Sequence, residues 1–81
     1  MMVTIKLFAM IRDQLGENIQ VELPEVITEQ VLKQIISQNY PQVETIIRNS
    51  RFAIDCQFMG TELHHLTESN EIAIIPPVSG G

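Results

Sequence analysis

The residues with the clearest chemical use are the last six, Pro76-Pro77-Val78-Ser79-Gly80-Gly81, which end in the carboxylate of Gly81. A terminal carboxylate has a pKa near ~3.5, so at neutral pH it is ionised and a poor electrophile. A nucleophile can attack it only after conversion to a mixed anhydride such as an acyl-adenylate. The reacting carbon must then be sterically open, and a glycine meets that need. The two prolines cannot donate to a sheet and favour an extended backbone. The pattern predicts a narrow rod that leaves the folded body after Ile75 and enters a pocket of another protein. The chain has no phosphate-binding loop, so ATP and its magnesium are expected on an activating partner and no cofactor on this chain.

The other reactive side chains offer less. Cys56 is the only cysteine, which excludes an intrachain disulfide and a multi-cysteine zinc site. Phe52, Ile54, Cys56 and Phe58 share one parity, so Cys56 is expected in the core, as free cysteines commonly are. His64 and His65 are adjacent and lack the cysteine or spaced carboxylates of a metal site, so no metal is expected. Glu68 and Glu71 read as solvated turn charges rather than a catalytic pair.

Eighty-one residues make one small domain. Such a chain buries only about 60% of the surface its unfolded form exposes, which argues against a deep internal active site. Its five basic side chains are scattered and outnumbered by ten acidic ones, giving a net charge of −5. A nucleic-acid footprint is therefore not expected. No apolar run reaches the ~18 residues of a membrane span and no signal peptide is evident, so a cytoplasmic location is expected.

The elements that must carry the tail are legible from periodicity. Val3, Ile5 and Leu7 alternate with Thr4, Lys6 and Phe8 as in a half-buried strand. Ala9 to Leu15 reads as a short helical turn ended by Gly16. Ile19, Val21 and Leu23 form a second strand, antiparallel to the first because the connection is short. Thr28 is a plausible N-cap. Val31, Leu32, Ile35 and Ile36 then recur at helical spacing, and Asn39 to Pro41 breaks this main helix. Val43, Ile46 and Ile47 suggest a further helical turn. Phe52 to Met59 reads as one alternating strand, Leu63 to Leu66 as irregular chain, and Glu71 to Ile75 as the last strand. One helix across one mixed sheet buries both apolar faces. The expected fold is α+β, a β-grasp with the first and last strands central: residues 1–75 the domain, residues 76–81 the tail.

The chain resembles the small, sulfur-carrier subunits of molybdopterin synthase. The likeness rests on Lys6-Leu7-Phe8-Ala9, Arg12, Leu15-Gly16, Leu66-Thr67, Glu71-Ile72-Ala73 and the six C-terminal residues. A double glycine alone is shared with ubiquitin-like modifiers and thiamine-pathway carriers, whereas the Pro-Pro-Val-Ser before it is more specific. The resemblance implies that an E1-like activating enzyme adenylates Gly81 and that a sulfur donor protein supplies the sulfur of a glycine thiocarboxylate. The large synthase subunit would then take the tail into its active site, where the sulfur attacks the precursor pterin. Catalytic side chains would belong to that large subunit. The resemblance also places the partner surface around Phe8, Met59 and Ile75, with Pro76, Pro77, Val78, Ser79 and Gly80 contacting the partner along the tail.

Two departures from the family pattern stand out. The family commonly has Gly-Asp where this chain has Ser69-Asn70, and many members have Asn where it has Asp55. Three alternatives remain open: sulfur donation to thiamine, cysteine or transfer-RNA thiolation; a protein modifier joined to lysines through Gly81; and a plain interaction module whose tail does nothing.

Overall fold

The computed structural model describes residues 1–77; Val78, Ser79, Gly80 and Gly81 lie outside the described residues. Alternation in Met2–Leu7 produces strand β1, which buries Val3, Ile5 and Leu7 and leaves Met2, Thr4 and Lys6 exposed. Helix α1 (Ala9–Leu15) follows and closes on Gly16, whose φ of 99° is the left-handed conformation that glycine adopts without penalty. Strand β2 (Asn18–Glu22) then pairs antiparallel with β1, Ile5 opposite Ile19 and Val3 opposite Val21.

A two-residue strand β3 (Val26–Ile27) leads into α2 (Glu29–Asn39), capped as expected by Thr28, whose Oγ1 accepts from the Val31 amide at 3.2 Å. Leu32 and Ile36 point into the core, but Val31 is exposed. A 3-10 turn at Pro41–Val43 runs into α3 (Glu44–Arg48), burying Val43 and Ile47.

The last third departs from the expected single strand over 52–59. Strand β4 (Arg51–Ile54) reverses at Asp55-Cys56, and β5 (Gln57–Phe58) returns beside it. Both turn residues have positive φ, 49° and 69°, the backbone of a type I′ hairpin whose twist matches its strands. The stretch expected to be irregular contains β6 (His64–His65), paired with β3. Strand β7 (Ile72–Ile75) inserts between β1, to which it runs parallel, and β4, to which it is antiparallel. The main sheet order is β2-β1-β7-β4-β5, with the first and last long strands central, as expected for a β-grasp. Leu32, Ile36, Val43 and Ile47 from the helices pack on Ile5, Phe52, Ile72 and Ile74 from the sheet, forming one core.

Candidate docking face and tail root

The side of the sheet away from α2 carries two cross-strand rows. Partners directly opposite in a ladder point to the same face, so the registers identify the rows. Phe58 lies opposite Ala53, Ala53 opposite Ala73, and Ala73 beside Lys6, making the first row across four strands. Arg51 lies opposite Ile75. One step past the Leu7–Ile74 pair, Phe8 lies beside Ile75, its backbone still extended at φ −133° and ψ 159°. Arg51, Ile75 and Phe8 make the second row.

Small residues in the first row create relief. Ala53 and Ala73 form a low floor between larger side chains, and the resulting concavity of about 310 Å³ is bordered by Phe8, Phe58, Ile75, Cys56 and Lys6. Phe8 is 42% exposed and Phe58 54%, while Ile75 is half-buried. Surface aromatics grouped around an apolar hollow mark an interaction site more often than scattered ones do. Lys6 Nζ reaches Glu71 Oε1 at 3.5 Å on the rim, and the Arg51 guanidinium sits 3.8 Å above the centroid of the Phe58 ring.

Two sequence expectations are corrected here by one cause. Met59 was expected on the outer face and Cys56 in the core. Reading 52–59 as one strand puts Phe58 with Phe52 and Met59 with Ala53, but the reversal at Asp55-Cys56 exchanges them. Met59 donates its amide to the Phe52 carbonyl at 2.9 Å and follows Phe52 into the core, where it is 3% exposed. Phe58 follows Ala53 outward. Cys56 occupies the second turn position, and its thiol is exposed at the edge of the hollow. The structure therefore keeps Phe8 and Ile75 in the patch and replaces Met59 with Phe58. The signal for Phe58 was faint, since the turn lacks the glycine that usually marks a type I′ hairpin.

The root of the tail is tied to the folded body. Pro76 is buried, so the first proline of the expected tail packs on the body, and the chain becomes exposed at Pro77. Val78, Ser79, Gly80 and Gly81, the remaining tail positions expected to act, lie outside the described residues. The loop before β7 is held by Asp55, which accepts from Asn70 Nδ2 at 2.7 Å and from the Glu71 amide at 2.9 Å. Asn70 Oδ1 in turn accepts from the Thr67 amide at 2.7 Å. Glu68 is exposed, and Glu71 is engaged with Lys6 at the rim.

Among the described residues no group of three or more His, Cys, Asp or Glu side chains is arranged to hold a metal ion. His64 Nε2 lies 3.5 Å from Glu62 Oε1. Among those residues, too, no helix is long and apolar enough to cross a membrane.

The comparisons agree with this architecture. The chain is 35% identical over 80 residues to the molybdopterin synthase sulfur carrier subunit of Dictyostelium discoideum, covering 95% of this chain and 93% of that one. The crystal structure of SAMP1 from Haloferax volcanii matches with a TM-score of 0.76 at 20% identity over the whole of both chains. A chain in the complex of subunits 1 and 2 of molybdopterin-converting factor from Helicobacter pylori matches with a TM-score of 0.70 at 22% identity, again over both whole chains. At such identities the two structures speak to the fold alone. The ThiS family model matches residues 5–81, and the chain belongs to the ThiS family.

Proposed function

We propose that the chain is the sulfur-carrier subunit of a molybdopterin synthase, docking through the Phe8–Ile75–Phe58 face and delivering sulfur on Gly81. The observation that carries the reading is the placement of that apolar hollow beside Ile75, the last strand residue before the tail. A partner that covers the hollow receives the chain where it departs toward Gly81. The name borne by the Dictyostelium relative, and the two-subunit complex that contains the Helicobacter fold relative, support a large subunit as that partner.

The chemistry follows from the carboxylate. On an activating enzyme that supplies ATP and magnesium, the Gly81 carboxylate attacks the α-phosphate and releases pyrophosphate, leaving an acyl-adenylate. A persulfide on a donor protein then displaces AMP to give an acyl disulfide, and a second thiol cleaves the S–S bond, releasing the thiocarboxylate and leaving the donor as a disulfide. In the large subunit this sulfur forms its bond to the precursor pterin, and water returns the glycine to a carboxylate. This chain contributes the carbon that holds the sulfur and the face that aims it.

The test is the intact mass of the chain from cells that hold the activating system. Exchange of one oxygen for sulfur, lost on incubation with large subunit and precursor, is the expected result. Covalent conjugates to lysines without any thiocarboxylate would instead assign the chain as a modifier. Removal of Gly81 should abolish the mass gain and leave the fold unchanged; normal cofactor synthesis by that truncated chain would overturn the proposal.

A further inference from the structure

The docking face carries a cation with no carboxylate of its own. Arg51 is exposed at the end of the Phe8–Ile75 row, and its guanidinium carbon lies over the Phe58 ring, 3.8 Å from the centroid. Acidic side chains outnumber basic ones ten to five in this chain, yet among the described residues none lies within ion-pair distance of Arg51. The contrast with the other basic residues is informative. Lys6 is turned to Glu71, Arg48 is bound to Glu44 at 2.6 Å, and Lys33 donates to the Arg48 carbonyl at 3.2 Å. Arg12 also lacks an ion pair, but it lies on the far side of Phe8 from Arg51.

Stacking fixes the orientation of the Arg51 fork. An arginine on an aromatic face keeps its in-plane N–H donors free at the edges, pre-ordered to meet a planar acceptor in two parallel bonds. A protein covering Phe58 and Ile75 would bury much of that guanidinium. Burial without a counter-charge would oppose docking, whereas a carboxylate placed opposite would convert the same group into a selector.

Resting on the proposed docking of this face to the large subunit, we infer that Arg51 is a specificity-determining residue that receives an aspartate or glutamate of that subunit while stacked on Phe58. The pairing steers an acidic carrier onto a partner through one fixed point of opposite sign. Arg51 thus discriminates between partners that cover the same hydrophobic hollow with and without an acid at its edge.

The experiment is calorimetric binding of the full chain to the large subunit at low and at elevated salt, for the unaltered protein, Arg51→Gln, Arg51→Lys and Arg51→Glu. Melting of each free chain provides the check on folding. Arg51→Gln should raise Kd about tenfold at low salt and flatten its salt dependence, with Arg51→Glu weaker still. Arg51→Lys, which keeps charge and loses the fork, should fall between the unaltered chain and Arg51→Gln. Equal Kd and equal salt dependence for Arg51→Gln would overturn the inference. A loss of affinity with unchanged salt dependence would overturn it as well, since Arg51 would then act only by packing. If the unaltered chain fails to bind the large subunit at all, the functional reading itself falls, a result that the Arg51 variants cannot produce.

Discussion

Asp55 and Asn70 form a 2.7 Å hydrogen bond that ties the β4–β5 hairpin turn to the loop entering β7. Two further bonds join the same segments, from the Glu71 amide to Asp55 Oδ1 and from the Asp55 amide to the Glu71 carbonyl. The family pattern commonly has an asparagine at the position of Asp55 and an aspartate at that of Asn70. The two departures seen in the sequence are thus the two ends of one bond, with amide and carboxylate interchanged.

Interchange predicts a reciprocal rescue. Asn70→Asp alone would set two carboxylates against each other where one now accepts from an amide, and should cost about 1–2 kcal/mol. Asp55→Asn together with Asn70→Asp restores a donor at 55 and leaves acceptors for the Thr67 and Glu71 amides. The double variant should return to within about 0.5 kcal/mol of the original in urea titrations, a coupling that two independent sites would not show.

Legibility in the sequence followed the strength of local periodicity. β1, β2, β7 and α2 each carry several apolar residues at a regular spacing, and a half-buried element must repeat that spacing along its length. The pairing of β1 with β7 followed from the two-layer fold. The β4–β5 hairpin was missed because Asp and Cys occupy the positive-φ positions that glycine and asparagine usually mark. The error then spread by parity, moving Met59 outward and Cys56 inward. β3 and β6 went unread because two residues show no period at all. Arg51 escaped notice because its stacking on Phe58 links adjacent strands only after the reversal.

Cys56 tests the turn directly. Its thiol is exposed and its φ is 69°, a conformation that costs a residue with a Cβ roughly 1 kcal/mol. Cys56→Gly should hold or raise stability by up to about 1 kcal/mol, where removal of a core cysteine would lower it. In the native protein Cys56 should react with a small alkylating reagent at the rate of an open thiol. Since it borders the hollow, a bulky maleimide there should impede docking to the large subunit. Protection of Cys56 until the chain unfolds would refute the hairpin.

Ala9 has a φ of 51° immediately after Phe8, so the chain turns sharply there from β1 into α1. Alanine tolerates the left-handed conformation at modest cost, but a β-branched side chain crowds it further. Ala9→Val should lower the unfolding free energy by about 1–2 kcal/mol, and Ala9→Gly should be nearly neutral because relief of strain offsets the added freedom of the unfolded chain. Thermal melts of the two variants give the comparison. Equal stability of Ala9→Val and the unaltered chain would show that the turn does not hold its positive φ.

Phe58 and Met59 are neighbours with opposite fates, and charge substitution separates them. Met59 is 3% exposed and packs in the core, so Met59→Ala should cost about 2–5 kcal/mol and Met59→Glu should unfold so small a domain. Phe58 is 54% exposed on the free chain, so Phe58→Glu removes little that folding needs beyond its contact with Arg51. Its Tm should stay within a few degrees of the original. In the complex the same ring would be covered, and burial of a large apolar side chain is worth roughly 1.5–3 kcal/mol. Replacing it with a charge adds a desolvation cost, so Kd for the large subunit should rise by about a hundredfold or more. Phe8→Glu should behave in the same way, since Phe8 borders the same hollow. Melting curves and binding isotherms on the three glutamate variants decide the matter. A Phe58→Glu chain that folds and binds normally would move docking off this face, and a Met59→Glu chain that folds normally would return Met59 to the surface.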